Sequence, residues 1–137
     1  MADLSVTAAS VLLSSGAQNQ GVAGEALTAG QVVYVKTSDS KIYKAQANGA
    51  AELATAGGIA LHAAAAGQPI AYAGNGAIIN IGATTAKNIT YVVSAAAAGG
   101  VAPSTDLAGG NRISRLGYAT ATDGTFKIDI AVTGVTV

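Results

Sequence analysis

The chain has no cysteine and no tryptophan, one histidine, one phenylalanine and two prolines. Without cysteine it can form no disulfide and offers no thiolate to a metal ion. With no tryptophan and one phenylalanine it lacks the aromatic platforms on which a carbohydrate-binding module stacks sugars. Charge is scarce as well. Lys, Arg, Asp and Glu make up 10% of the chain, against about 25% in an average soluble domain. Seven basic residues balance seven acidic ones, so the field that draws proteins to nucleic acid or anionic membrane is missing, and neither partner is expected. Gly, Ser, Thr and Gln interrupt every apolar run before it reaches the roughly 18 residues of a membrane-spanning helix. The opening MADLSVTAASVLL has no basic residue ahead of its apolar stretch and carries Asp3, unlike a secretory signal, so export by the standard route is not expected.

What remains is apolar and small. Half of the residues are hydrophobic, which separates the chain from disordered segments and predicts a folded core. A neutral, charge-poor surface gives little colloidal repulsion and predicts association with a partner or with itself. Eighteen glycines and many alanines lie between short β-branched clusters, the pattern of strands with frequent turns. The fold class expected is all-β: a small β-sandwich or barrel-like domain built from two similar hairpin units, with little helix. Residues 1–23 form an N-terminal arm and residues 24–137 a single β-domain. Helix is limited to a turn near Glu52–Ala56 or His62–Ala66, because Gly57-Gly58 costs about 1 kcal/mol per glycine relative to alanine.

Two hairpins can be placed in register. In GQVVYVKTSDSKIYKAQ, from Gly30, a three-residue loop Ser38-Asp39-Ser40 sets Val35 opposite Tyr43 and Val33 opposite Ala45, with Lys36, Lys44 and Tyr34 on the other face. In YATATDGTFKIDI, from Tyr118, a two-residue Asp123-Gly124 turn sets Ala121 opposite Phe126 and Ala119 opposite Ile128 on the buried side. Tyr118, Thr120, Lys127 and Asp129 then face outward. LTAGQVVYV, from Leu27, matches TTAKNITYV, from Thr84, with Tyr34 onto Tyr91. GGIALHA, from Gly57, likewise matches LGYATAT, from Leu116, with Gly58 onto Gly117 and Ala60 onto Ala119. Two repeat-like halves result, about residues 26–77 and 82–132, closing one core.

No constellation points to catalysis. His62 has only Glu52 within ten residues as an acidic neighbour, and a base needs its partner within reach. The reading is a surface or loop-capping histidine. Asp39 and Asp123 belong to turns. GNGAII, from Gly74, holds only the first two glycines of a dinucleotide fingerprint, and phosphate-loop and calcium-loop patterns are missing. No enzyme activity, cofactor or metal is expected. Arg112 and Arg115 suit a solvated strand edge or an ion pair better than a charged ligand. The five tyrosines suit either an interface or strand-face packing.

The segments GEALTAGQVVYV, KIYKAQA, GIALHAAAAGQPIAYA, ITYVVSAAAAGGVAPSTDLAGG and RLGYA together resemble the small head decoration, or capsid cement, proteins of tailed bacteriophages. The likeness runs from about Gly24 to Asp129 and lies in the order of Ala/Gly-rich strands and turns. It implies a β-rich homotrimer bound to the outside of the major capsid protein, stabilising the expanded head. The protein would be made in the bacterial cytoplasm and reside on the virion head surface. A tail or fibre structural module is the alternative, and a carbohydrate-binding module a weaker one. In the arm, Leu4 and Val6 alternate with polar residues ahead of Leu12 and Leu13. These four are the expected contacts to capsid or a neighbouring subunit. An arm of that kind predicts that the rest of the chain folds without it.

Overall fold

A computed structural model describes residues 3–4, 6–16, 18–47, 51–87, 89–106 and 109–136. The all-β expectation is met. Among the described residues, eleven strands run in chain order: β1 (Leu12–Ser15), β2 (Gln18–Val22), β3 (Val32–Val35), β4 (Ile42–Lys44), β5 (Gly58–Ala60), β6 (Pro69–Ala73), β7 (Ile78–Asn80), β8 (Thr90–Val93), β9 (Val101–Pro103), β10 (Arg112–Ala119) and β11 (Thr125–Thr136). Helix among the described residues is confined to three short 3-10 turns, one of them Ala51–Ala54 within the Ala-rich stretch.

The strands form two antiparallel sheets, ordered β1-β7-β11-β10-β8-β9 and β2-β6-β5-β3-β4. With β1 set aside, each sheet places its first, fifth, fourth, second and third strand side by side. Corresponding strands carry corresponding residues. Tyr34 of β3 and Tyr91 of β8 are both buried in the core between the sheets, with Val32, Ile59, Ile79, Leu116, Phe126 and Ile128. A Cβ added at Gly58 in β5 would lie 2.1 Å from the Ala73 carbonyl oxygen, and one at Gly117 in β10 would lie 2.0 Å from that of Lys127. Each glycine lets two backbones approach closer than any side chain permits. A second, smaller core lies on the outer face of the five-stranded sheet. There Val33, Ile42, Ile70 and Tyr72 are covered by connections carrying Ala23, Leu27 and Ala64.

The first hairpin differs from expectation by one residue. Val33 pairs with Lys44, Tyr34 with Tyr43 and Val35 with Ile42. Its turn has four residues: Lys36 N–H donates to Lys41 C=O at 2.9 Å, and Ser40 takes the left-handed conformation at φ 60°. The Asp39 carboxylate stabilises the turn by accepting the Lys41 N–H at 3.0 Å. A slip of one residue exchanges the faces of a strand. Tyr34, expected beside the lysines, is 4% exposed, whereas Val35, expected inside, is 42% exposed. Burying the tyrosine removes the larger area from water, and Val32 and Val33 are buried on opposite faces, so this hairpin is not simply amphipathic.

The second hairpin differs by two residues, which leaves its faces unchanged. Ala119 pairs with Phe126 and Gly117 with Ile128, while Tyr118 faces out beside Lys127. The turn is closed by Thr120 N–H to Thr125 C=O at 3.0 Å, and Gly124 supplies the positive φ of 97° that the Asp-Gly pair predicts. Its greater width is held from outside. Thr85 donates its hydroxyl to Ala121 C=O at 2.6 Å, and Ile81 N–H donates to Gly124 C=O at 2.9 Å.

Candidate functional site

The N-terminal segment is where the sequence places contact residues, and the structure builds most of it into the domain. Leu4 N–H donates to Val101 C=O at 2.8 Å and Thr7 N–H to Gly82 C=O at 2.7 Å. The trough beneath is floored by glycine. A Cβ at Gly30 would lie 2.4 Å from Val6 Cγ1, one at Gly82 2.5 Å from the Thr7 carbonyl oxygen, and one at Gly100 2.8 Å from Asp3 Oδ2. Ser94, fully buried, donates its hydroxyl to Asp3 and accepts the Ala96 and Ala97 N–H groups, fastening the segment to the turn after β8.

β1 then pairs with β7, and β2 with β6, so residues expected to form an arm beyond the β-domain supply one strand to each sheet. Of the four expected contact residues, Leu4, Val6 and Leu13 pack against the domain's own core. Leu12, opposite Asn80, is 67% exposed. The reason is strand alternation: Leu13 pairs with buried Ile79 and turns inward, and its neighbour must turn outward. Among the residues whose exposure is described, the other large hydrophobic ones that are exposed are Val22, Val35 and Tyr118. Val22 follows the polar run Gln18–Gly21 and is not among the four residues that the sequence singles out in the arm.

The polar side chains with reactive potential hold turns. Ala71 N–H donates to His62 Nε2 at 3.0 Å, so Nδ1 carries the proton toward Ala63 C=O at 2.9 Å, and the ring bridges its own loop to β6. Glu52 Oε1 accepts both the N–H and the hydroxyl of Thr37, at 2.7 and 3.1 Å, and Arg115 pairs with Asp129 at 3.0 Å. Tyr43 donates its hydroxyl to Asp39 at 2.7 Å. That bond, with the Lys41 N–H, lowers the Asp39 carboxyl below the ordinary range and raises the Tyr43 phenol. Asp123 is lowered by the Thr125 hydroxyl and N–H. Burial raises Tyr72, and raises Tyr34 with help from Glu52. Four tyrosines pack within the fold, leaving Tyr118 exposed.

An open cleft of about 400 Å³ lies between Thr7, Asn80, Thr84 and Asp123. Its amide and carboxylate groups serve the scaffold: Asn80 accepts the Gly82 N–H and donates to Asp123 C=O, and Asp123 accepts from Thr125. Among the described residues, no three of His, Cys, Asp and Glu come together as a metal site. Among the same residues, no helix is long and apolar enough to cross a membrane. No protein-family model matches the sequence, and no curated protein matches it.

Proposed function

We propose that the protein is a structural virion component that binds the outer surface of the major capsid lattice of a tailed bacteriophage and stabilises the expanded head. The carrying observation is the division of labour among side chains. The groups able to do chemistry, His62, Glu52, Asp39, Asp123 and Asp129, each hold part of the scaffold, while uncharged Leu12, Val22, Val35 and Tyr118 face solvent. The resemblance of the Ala/Gly-rich segments to decoration proteins supplies the target. A lattice suits such a surface, because many weak contacts made by repeated copies sum to firm coating.

Of the expected contact residues, Leu12 is the one free to meet capsid. Burying it stabilises a contact by about 1.5 to 3 kcal/mol, so Leu12→Asp should weaken binding by roughly 10- to 100-fold. The test is co-sedimentation of the purified protein with expanded heads that lack it, with unexpanded heads and isolated tails as controls. Saturable binding to expanded heads is expected. Binding to tails, or to none of these particles, overturns the reading.

A further inference from the structure

Each sheet has two edge strands, and three of the four are protected. On β9, which ends in Pro103, Val101 C=O accepts the Leu4 N–H. On β4, Ile42 C=O accepts the Gly24 N–H, and Lys44 N–H donates to the Glu25 carboxylate at 3.0 Å. β1 is broken by a bulge between Leu13 and Ser15. β2 has none of these features. Its five residues, Gln18–Val22, pair with β6 in unbroken register and include no charge or proline. Nothing among the described residues pairs with their other side. Charge, proline, bulges and covering segments are the devices that keep an edge from accepting a further strand.

The ladder shows which groups of β2 face outward. Gln20 lies opposite Ala71, whose N–H donates to His62 and whose C=O accepts the Leu61 N–H, both on the far side of β6. Ala23, just past β2, donates to Gln68 C=O and accepts the Gly67 N–H, at 2.9 and 2.7 Å. Alternation between these two points turns the backbone groups of Asn19 and Gly21 toward β6. The N–H and C=O groups of Gln18, Gln20 and Val22 therefore point away from it. Every residue of the strand except Gly21 is exposed, so no side chain of the domain shields this edge.

We propose that β2 accepts an extended, uncharged segment of the major capsid protein as a further strand of the five-stranded sheet. N–H and C=O groups alternating along an edge are matched by another extended backbone. Nucleic acid and anionic membrane do not suit it, because neither β2 nor β6 carries a charge. Glu25, the nearest charge along the chain, is held by Lys44 at 4.0 Å, so the incoming segment needs no counter-charge. The same edge of a second copy would meet this one only across a two-fold axis, which the homotrimer implied by the resemblance lacks. The other sheet edges of a copy are covered or bulged. β1 and β2 follow each other beside β7 and β6, so exposed Leu12 borders the same side of the domain. The proposal rests on the head-binding reading and assigns the backbone through which binding occurs.

The test is co-sedimentation of the full chain with expanded heads that lack it, comparing Gln20→Pro with Gln20→Ala. Proline removes one outward N–H and is tolerated on an edge strand where that N–H faces solvent, so the β2–β6 ladder and the thermal melt should be kept. Gln20→Pro should bind about tenfold or more weakly, because a carbonyl of the added strand loses its donor. Gln20→Ala keeps the N–H and should bind within about twofold of the parent. Hydrogen exchange gives a measurement independent of the variants, and it decides alone if Gln20→Pro does not fold. The peptide covering residues 18–22 should gain protection when the parent is bound to heads. A parent that does not bind heads overturns the head-binding reading and this proposal with it. A parent that binds while Gln20→Pro binds equally, or while residues 18–22 gain no protection, overturns the proposal alone. Equal loss in Gln20→Ala would place recognition in the side chain and overturns it as well. So does a Gln20→Pro variant with fewer chains than the parent by sedimentation equilibrium, which would make β2 a contact between copies.

Discussion

Deleting residues 2–13 should unfold or severely destabilise the protein. The segment includes Val11, buried, and Leu4, Val6 and Leu13, partly buried against the core. Full burial of such side chains contributes about 1.5 to 3 kcal/mol each, and half-burial about half of that. Together they account for roughly 4 to 7 kcal/mol, before loss of the Leu4–Val101 and Thr7–Gly82 hydrogen bonds and the β1–β7 pairing. A domain has only about 5 to 15 kcal/mol in total. Even the lower figure lowers the melting midpoint by roughly 8 to 16 °C in a domain of this size. Thermal melting followed by circular dichroism decides it, with Leu13→Ala and Leu12→Ala as matched controls. The first should cost about 1 to 3 kcal/mol, and the second, at 67% exposure, should stay within about 0.5 kcal/mol. A truncated chain that melts within about 5 °C of the parent would refute the reasoning, returning the segment to the role of a detachable arm.

Gly58→Ala and Gly117→Ala should each destabilise by about 1 to 3 kcal/mol, since the new Cβ meets backbone oxygen at 2.1 and 2.0 Å; denaturant melts of both variants check this, and Gly117, at φ +154°, should be the worse. Asp39 and Asp123 have lowered carboxyl pKa values in the fold, so the stability they contribute is present above the ordinary carboxylate range and lost as pH falls through the lowered values. Asp39→Asn and Asp123→Asn should therefore flatten the acid limb of a melting-temperature profile, and carboxyl NMR titration should place both groups below free aspartate. Tyr43 is raised by the same contact with Asp39, so its contribution is present below the ordinary phenol range and lost as pH rises through the raised value, visible in an ultraviolet phenolate titration. Glu52→Gln keeps an acceptor for Thr37 and should change stability by less than about 0.5 kcal/mol. His62→Ala leaves the Ala71 N–H without its acceptor and should cost about 1 kcal/mol with head binding unchanged, as titration against expanded heads would report.

Strand content and the facing of side chains within a strand were legible in the sequence because alternation is a local property of extended backbone. The inward face Ala119, Phe126 and Ile128 was readable on those grounds, and it survived an error of two residues in register because two is the period of the strand. The positive φ at Gly124 was equally local. The matches Tyr34 to Tyr91 and Gly58 to Gly117 fall on strands that occupy the same place in the two sheets. Turn width was not local. Whether a loop has two, three or four residues depended on Ser40 accepting a left-handed conformation and on Thr85 and Ile81 reaching across to hold the second turn, contacts between residues far apart in the chain. A single extra residue in the first loop was enough to send Tyr34 inward and Val35 outward. The N-terminal segment depended on tertiary structure in the same way. Its apolar residues called for a sheet to join, but only the trough at Gly30, Gly82 and Gly100, assembled from three distant turns, made its own domain the place where Leu4 and Val6 are buried.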